Sequence, residues 1–451
     1  MERDSCSQYL VAVVGAGPAG LYASKQLASQ GVHVVLFNRD IKPGGLAEYG
    51  IYPDKLKMKD GLRAQFRQIL AMPQVDYYGN LLVGQTGDVT LDELRSWGFQ
   101  AVLVTVGAQG TKWLGLPGED LAGVYHAKNL VYHYNHLPPF SEQGVEIGSR
   151  VAVVGAGNVM LDITHWLAGV KRVDEVITMA RRGPSEVKFD KQELRSVAAL
   201  LDMDALEKEI ARVKPVMLAL GGDPEQFMSV VRTAREKADP IDSPTRFTML
   251  FLTSPYSIIG ENGRVAAVEL EDNTLVAQDG VVKARGLDHC HIMGVDSVIF
   301  AIGDRVDEHF GLPVSGNEFI KNSRPRFPVE GLSYEVFDPR CNDCIKDIFV
   351  AGWSRQASTG LVGIARKDGT NGAKALLQYL QSVPPQSPLP LEVVKHHLSM
   401  IAKPLITQVD LARLSECEAQ EAQARGVAEF KFDSNFEMLR VMGKNLLPAA
   451  A

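Results

Sequence analysis

The chain has 451 residues, more than one hydrophobic core usually supports, so at least two domains are expected. Apolar residues make up 45% and charged residues 22%, which is typical of a globular α/β protein and excludes a disordered or fibrous chain. The formal net charge of -7 argues against a general nucleic-acid-binding or anionic-membrane surface.

The first predicted elements are a buried strand, a glycine turn, a helix and a second strand, in YLVAVVGAGPAGLYASKQLASQGVHVVLFNRD from Tyr9. Gly15 permits a tight turn, Gly17 lets the backbone approach a pyrophosphate, and Gly20 lets the helix pack closely on the strand. This βαβ unit predicts a dinucleotide-binding site. Because glycines interrupt the apolar stretch and no basic leader precedes it, we expect no signal peptide.

The end of the second strand departs from the usual pattern. An acid normally binds the ribose hydroxyls at this point, but VVLF is followed by Asn38, with Asp40 two positions later. An amide oxygen also accepts a hydroxyl hydrogen bond, without the charge that strengthens it. We therefore hypothesise that Asn38 binds the ribose weakly.

A second unit of the same design begins at Ser149, in SRVAVVGAGNVMLDITHWLAGVKRVDEVITMARRGP. Gly155 and Gly157 match the first motif, whereas Met160 replaces the third glycine, so this helix is expected to lie slightly farther from its strand. Two related nucleotide-binding domains are therefore predicted.

The second strand of this unit ends in Arg181 and Arg182 rather than in an acid. A carboxylate there would repel a 2′-phosphate, whereas two guanidinium groups hold it through forked, charge-assisted hydrogen bonds. The pair predicts NADP(H) rather than NAD(H). Two dinucleotide sites in one chain suggest hydride transfer between two bound nucleotides, a reaction that needs no acid-base pair and no metal.

Several longer motifs extend these two units: GGLAEYGIYPD from Gly44, YYGNLLVG from Tyr77, LPGEDLAGV from Leu116, RRGPSEVKFDKQEL from Arg181, AIG from Ala301, and AGWSRQASTGLVG from Ala351. Together they make the chain resemble adrenodoxin reductase and its bacterial ferredoxin-NADP reductase relatives. This family shares a domain plan with the small subunit of glutamate synthase.

The resemblance implies both cofactors and their contacts. The implied FAD contacts are Gly15, Gly17, Ala19, Gly20, Asn38, Leu46, Val83, Trp353, Gly360, Leu361 and Val362. The implied NADPH contacts are Gly155, Gly157, Asn158, Val159, Arg181, Arg182, Glu193 and Gly360. Trp353 and Gly360 are expected to position the flavin and the nicotinamide. Thr359 and Gly360 introduce a predicted helix, LVGIARKDGTNGAKALLQYL, whose positive N-terminal end would favour the reduced flavin.

Three features depart from the family. Lys55 stands where the family has the histidine of PDH, so no role of that histidine is transferred. The segment Gly221 to Phe227 is acidic where adrenodoxin reductase is basic, which argues against an adrenodoxin-like partner. The extension from about Leu391 resembles that of the bacterial members.

Other signals are interpreted as structural. Cys341 and Cys344 form a CxxC pair ahead of the strand IFVAGW, without the second pair of a zinc site. His289, Cys290 and His291 are too closely spaced for one metal centre. The five cysteines are too few for a secreted disulfide framework, so a cytoplasmic location is expected.

The predicted fold is α/β, with two Rossmann-like domains and the NADPH domain inserted into a discontinuous FAD domain. The predicted divisions are residues 1–106 and 305–390 for the FAD domain, 107–304 for the NADPH domain, and 391–451 for an extension packing on the FAD domain. The predicted function is transfer of hydride from NADPH to FAD and of single electrons to ferredoxin or flavodoxin. Two alternatives are a flavin subunit of a larger, glutamate synthase-like complex and a non-catalytic redox sensor.

Overall fold

The computed structural model describes residues 8–278, 281–357 and 360–444. Cys6, one of the five cysteines, and Thr359 lie outside these ranges. Contacts between Cα atoms divide the chain into two units. The first unit comprises Met1–Gly110, Tyr132–Glu142 and Asp304–Ala451, and the second comprises Thr111–Val131 and Gln143–Gly303. The first unit is therefore assembled from three separate stretches of the chain.

The described residues form strands in both units. In chain order they are β1 Leu10–Val14, β2 His33–Phe37, β3 Val75–Tyr78, β4 Ala101–Val104, β5 Gly110–Thr111, β6 Val124–His126, β7 Arg150–Val154, β8 Glu175–Ala180, β9 Arg246–Phe251, β10 Thr253–Glu261, β11 Arg264–Gln278, β12 Val281–Gly294, β13 Ser297–Phe300, β14 Asp304–Arg305, β15 Val314–Ser315, β16 Glu318–Phe319, β17 Glu335–Asp338 and β18 Asp343–Val350.

Helices connect most of these strands and form the last part of the described chain. In chain order they are α1 Pro18–Ala28, α2 Leu46–Tyr49, α3 Leu56–Leu70, α4 Leu91–Ser96, α5 Ala127–Tyr134, α6 Asn158–Trp166, α7 Met203–Ala219, α8 Pro224–Glu236, α9 Val362–Leu380, α10 Leu391–Ser399, α11 Gln408–Arg425 and α12 Asn435–Val441.

The first unit is built on a six-stranded sheet with the strand order β17-β18-β4-β1-β2-β3. Its neighbouring strands run parallel except β17 and β18, which pair antiparallel. Side chains of β1 alternate between two cores, because Val11 and Val13 belong to one and Leu10 and Ala12 to the other. Burial of both faces explains why this strand is a continuous apolar run.

Helices α1 and α9 approach each other very closely beside this sheet. A Cβ atom added to Gly369 of α9 would lie 2.1 Å from the carbonyl oxygen of Ala19 in α1. A Cβ atom added to Gly372 would lie 2.6 Å from the Cβ atom of Ala351. Glycine at position 369 lets α9 pack against the first turn of α1, and glycine at position 372 lets it pack against Ala351, which follows β18.

The second unit contains a parallel five-stranded sheet with the order β6-β13-β7-β8-β9. Strands β10, β11 and β12 form a separate antiparallel sheet. One core contains Val154 and Met179 of the parallel sheet together with Val268 and Leu270 of β11. The antiparallel sheet therefore covers one face of the parallel sheet.

The C-terminal segment, residues 391–444, packs on the rest of the first unit. Val394 and Leu398 of α10 join one of its cores, and the rings of Trp97 and His397 stack with centroids 5.1 Å apart. A further core joins Ile41 to side chains that follow α10. None of the described helices has the length and apolar character needed to cross a membrane.

Candidate dinucleotide-binding sites

The turn between β1 and α1 depends on two glycines. Gly15 has a φ of +108°, and a Cβ atom added to it would lie 2.6 Å from the carbonyl oxygen of Thr105. A Cβ atom added to Gly20 would lie 1.9 Å from the carbonyl oxygen of Gly15. No larger residue fits at either position without moving the backbone.

The N-terminus of α1 is open. Gly17 is the N-cap residue, no side chain caps the helix, and no acidic residue lies in its first turn. A Cβ atom added to Gly17 would have no neighbour within 4 Å. Uncapped backbone N–H groups at the positive end of a helix form an anion-binding site, so the turn fits the pyrophosphate of a dinucleotide.

Residues distant in sequence hold this turn in place. The hydroxyl of Thr105 donates to the carbonyl oxygen of Gly15 (2.8 Å), and the N–H group of Gly44 donates to that of Ala16 (2.7 Å). The amide oxygen of Asn38 accepts a hydrogen bond from the N–H group of Ala16 (3.1 Å). Sequence reasoning missed Thr105, whose only signal was its position directly after an apolar strand.

Asn38 is 6% exposed, and its amide group is used within the protein. The amide nitrogen donates to the carbonyl oxygens of Asp40 (2.9 Å) and Lys42 (3.0 Å) and lies 3.4 Å from the hydroxyl of Tyr77. Asn38 thus joins the end of β2 to the glycine turn. Its contact with ribose stays a prediction.

We expect Asn38→Ala to destabilise the first unit, because it leaves the buried N–H group of Ala16 without its acceptor. An unsatisfied buried polar group costs about 1–3 kcal/mol. Urea denaturation of the flavin-free protein measures this loss. Asn38→Asp, which keeps an acceptor for Ala16, serves as the comparison. Equal stability of Asn38→Ala and wild type would contradict this bracing role.

Trp353 lies in the 3₁₀-helix Gly352–Ser354, and its neighbours are fixed to α9. The carboxylate of Asp368 accepts hydrogen bonds from the N–H group of Gly352 (2.6 Å) and from the guanidinium of Arg355 (2.6 Å). The hydroxyl of Tyr334 also donates to it (3.2 Å). Asp368 and Arg355 were not predicted from the sequence.

This segment adjoins the first glycine turn. A Cβ atom added to Gly352 would lie 2.6 Å from the Cβ atom of Ala19. Trp353 and Asp368 line a cavity of about 180 Å³ together with Ile364. The structure therefore brings the predicted residues Trp353 and Ala19 to neighbouring positions, although they are more than 300 residues apart.

The remaining predicted FAD contacts lie in different surroundings. Leu46 begins α2, directly after the Gly44–Gly45 turn. Val83 is buried within one of the sheet cores. Gly360 has a φ of +75°, Leu361 is exposed as the N-cap residue of α9, and Val362 packs against a core.

The second glycine turn has the same construction. Gly155 has a φ of +139°, and an added Cβ atom would lie 2.3 Å from the carbonyl oxygen of Ala301. Gly157 is the N-cap residue of α6, which has no side-chain cap and no acid in its first turn. A Cβ atom added to Gly157 meets nothing within 4 Å, so this turn also fits a pyrophosphate. Met160 is completely buried beneath it.

Arg181 and Arg182 follow β8 directly. Their carbonyl oxygens accept hydrogen bonds from the side chain of Asn273 (3.3 Å) and the N–H group of Leu252 (3.2 Å), respectively. Neither guanidinium has a hydrogen-bond partner or counter-ion among the described residues. The backbone is fixed while two cationic side chains stay available for an anion.

The chain after this pair returns to the glycine turn. The N–H group of Lys188 donates to the carbonyl oxygen of Ala156 (2.8 Å), and that of Asp190 donates to the side chain of Asn158 (2.7 Å). Glu193 follows in the 3₁₀-helix Glu193–Ser196. The predicted residue Asn158 therefore holds this return segment through its amide oxygen. Val159, at the start of α6, is exposed.

The cysteines do not form a metal centre within the described part of the chain, where no group of three metal-binding side chains is found. Cys290, Cys341, Cys344 and Cys417 are free thiols. The sequence interpretation placed the CxxC pair before a strand, but Cys344 lies inside β18 and is paired there with Phe337. The strand extends farther toward its N-terminus because it pairs with β17.

Comparison with known proteins identifies relatives that align with this chain over most of its length. Residues 9–200 match the family described as pyridine nucleotide-disulphide oxidoreductase. The chain is 27% identical to NADPH-ferredoxin reductase FprA of Mycobacterium leprae, covering 96% of this chain and 98% of that protein. It is 28% identical to human mitochondrial NADPH:adrenodoxin oxidoreductase, covering 96% and 92%, respectively.

A solved structure agrees with these sequence matches. Mycobacterium tuberculosis FprA in complex with NADPH superposes with a TM-score of 0.80 at 26% identity, covering 96% of this chain and 99% of that one. The resemblance and the fold class predicted from the motifs are thereby confirmed. Over almost its whole length the chain is similar to NADPH-ferredoxin reductases and NADPH:adrenodoxin oxidoreductases.

Proposed function

We propose that the chain is a FAD-dependent oxidoreductase that takes hydride from NADPH and delivers single electrons to a small carrier protein. The observation that carries this proposal is the pair of uncapped helix N-termini, at Gly17 and Gly157, each following a parallel strand. Among the described residues, only the second is accompanied by an arginine pair without counter-ions, in which Arg181 is exposed and Arg182 is half-buried. Two dinucleotides of different kinds account for this difference.

The first unit is assigned to FAD and the second to NADPH. The proposed FAD contacts are Gly15, Gly17, Ala19, Gly20, Asn38, Leu46, Val83, Trp353, Gly360, Leu361 and Val362. The proposed NADPH contacts are Gly155, Gly157, Asn158, Val159, Arg181, Arg182, Glu193 and Gly360. The predicted division into residues 1–106 and 305–390 for FAD, 107–304 for NADPH, and an extension over 391–451 stays a prediction. Within its NADPH range, the stretch Tyr132–Glu142 belongs to the first unit.

Bound FAD supplies the chemistry, because a flavin accepts hydride and releases electrons singly. The residues of the chain bind and orient: open helix ends hold the pyrophosphates, and Arg181 and Arg182 hold the 2′-phosphate. Trp353 is proposed to pack against the flavin. Its segment is fixed through Arg355 and Asp368, which supports a defined position for the indole.

Ferredoxin or flavodoxin is the proposed acceptor. The relatives named NADPH-ferredoxin reductase support a ferredoxin-type carrier. A reducing cytoplasm is the proposed location, and the free thiols of the described residues are compatible with it. The glutamate synthase-like subunit and the redox sensor have no specific observation in their favour.

Rapid anaerobic mixing with NADPH, and separately with NADH, tests this function. We expect the visible absorbance of oxidised flavin to bleach quickly with NADPH and much more slowly with NADH, because only NADPH offers a 2′-phosphate to the arginine pair. Reduced protein should then reduce added ferredoxin. A purified protein without flavin, or with a flavin that NADPH does not reduce, would contradict the proposal.

A further inference from the structure

A buried group of charged side chains connects the turn that follows Gly44 to the C-terminal segment. We call it the Glu48 cluster, and its members are Lys42, Glu48, Lys59, Arg63, Glu418, Glu429 and Lys431. All seven belong to the first unit. The last three come from the part of the chain that follows the predicted FAD domain.

Glu48 lies at the centre of the cluster, with a side chain that is only 4% exposed. Arg63 binds its carboxylate with two hydrogen bonds of 2.7 Å, and the ammonium groups of Lys431 and Lys42 lie 3.1 and 3.4 Å from it. Burial raises the pKa of Glu48, but these cations outweigh that effect and hold the pKa well below its usual range. Glu48 is therefore ionised at neutral pH.

The C-terminal segment supplies both a cation and an anion to the Glu48 cluster. Lys431 is 3% exposed and donates to the carbonyl oxygens of Glu48 (2.9 Å) and Asn135 (3.4 Å). Glu429 pairs with Lys59 at 2.8 Å and with Arg63 at 2.5 Å. The C-terminal segment therefore fixes both the side chain and the backbone of Glu48.

The same turn touches the proposed pyrophosphate site. The N–H group of Glu48 donates to the carbonyl oxygen of Gly45 (3.0 Å), and that of Gly44 donates to Ala16 (2.7 Å). A Cβ atom added to Gly45 would lie 3.2 Å from the Cα atom of Gly17. Glu48 is thus connected, within one turn of chain, to Gly17 at the proposed pyrophosphate site.

We propose that Glu48 is a positioning residue for FAD, through which the C-terminal segment sets the space between Gly45 and Gly17. The inference rests on the proposed function of the first unit as the FAD-binding unit. The C-terminal segment then has a role in cofactor binding, in addition to covering an apolar surface. Removal of a charge in the cluster then weakens FAD binding by more than the accompanying loss of stability explains.

The test is Glu48→Gln, which keeps the shape of the side chain and removes its charge. The dissociation constant of FAD is measured by adding FAD to the flavin-free protein, and unfolding of the flavin-free protein is measured in parallel. We expect the dissociation constant to rise about tenfold, the effect of losing roughly one charge-assisted contact. The visible spectrum of bound FAD should also shift, because its surroundings change.

Asp410→Asn provides the matched control in the same C-terminal segment. Asp410 pairs with Lys444 at 2.8 Å and caps α11 through Thr407, so its replacement lowers stability without removing a charge from the Glu48 cluster. The expected result is unchanged FAD affinity and an unchanged flavin spectrum. If the two variants weaken FAD binding in proportion to their losses of stability, Glu48 has only a structural role and the inference is overturned.

Lys431→Met keeps the inference testable if Glu48→Gln does not fold. It removes one cation but leaves the carboxylate of Glu48 held by Arg63 and Lys42, so a smaller change in the same direction is expected. Unchanged FAD binding in Lys431→Met would overturn the role of the C-terminal segment. A wild-type protein that binds no FAD would refute the proposed function itself, and the inference with it.

Discussion

Replacing Arg181 with alanine should weaken NADPH binding about ten- to a hundredfold and leave NADH binding nearly unchanged, since each charged hydrogen bond contributes about 1.5–3 kcal/mol. The guanidinium follows β8 on a backbone that is fixed by Asn273, and it has no counter-ion among the described residues. The ligand that matches such a cation is the 2′-phosphate, which NADH lacks.

Fluorescence titration of each coenzyme into the purified protein measures this selectivity. Arg232→Ala is a suitable control, because Arg232 is an exposed arginine of α8 in the same unit, 3.8 Å from Glu225. It should leave both affinities unchanged. Equal losses of NADPH and NADH in Arg181→Ala would mean that Arg181 contacts a part shared by both coenzymes, and the assignment to the 2′-phosphate would be wrong.

Local signals made much of the two nucleotide-binding folds predictable. The glycines of each turn stand between an apolar strand and a helix, so strand, turn, helix and strand could be placed without knowledge of the rest of the chain. Both helices begin one residue after the second glycine, at Pro18 and Asn158. The arginines after β8 were recognisable because their position in a βαβ unit is fixed.

The contacts that hold the turns could not be predicted in this way. Thr105 reaches Gly15 only because β4 lies beside β1 in the sheet. The turn at Glu48 contacts Lys431, which is more than 380 residues away in the sequence. The charged residues of the chain could have formed many other ion pairs. Such contacts depend on tertiary packing, which no local pattern encodes. For the same reason the hydrogen bond between the amide oxygen of Asn38 and Ala16 was not predicted, and the contact of Asn38 with ribose stays a prediction.

Asp368→Ala should lower the free energy of unfolding by about 3–5 kcal/mol, the usual effect of leaving a buried charge without its partner. The side chains of Arg355 and Asp368 are 10% and 12% exposed, and their ion pair measures 2.6 Å. Alanine would also leave the N–H group of Gly352 without its acceptor. Because these contacts fix the segment that contains Trp353, weaker FAD binding is expected as well.

Urea denaturation of the flavin-free protein and titration with FAD measure the two effects of Asp368→Ala separately. The neighbouring Lys367→Ala is the matched control, because Lys367 pairs with Glu330 at 2.8 Å while both side chains are largely exposed, at 68% and 52%. An exposed pair of this kind contributes about 0–1 kcal/mol, so stability and FAD affinity should barely change. Asp368→Asn keeps an acceptor for Gly352 but loses the charge, and it should fall between the other two variants. If Asp368→Ala were no less stable than Lys367→Ala, the ion pair with Arg355 would not be what holds Trp353 against α9.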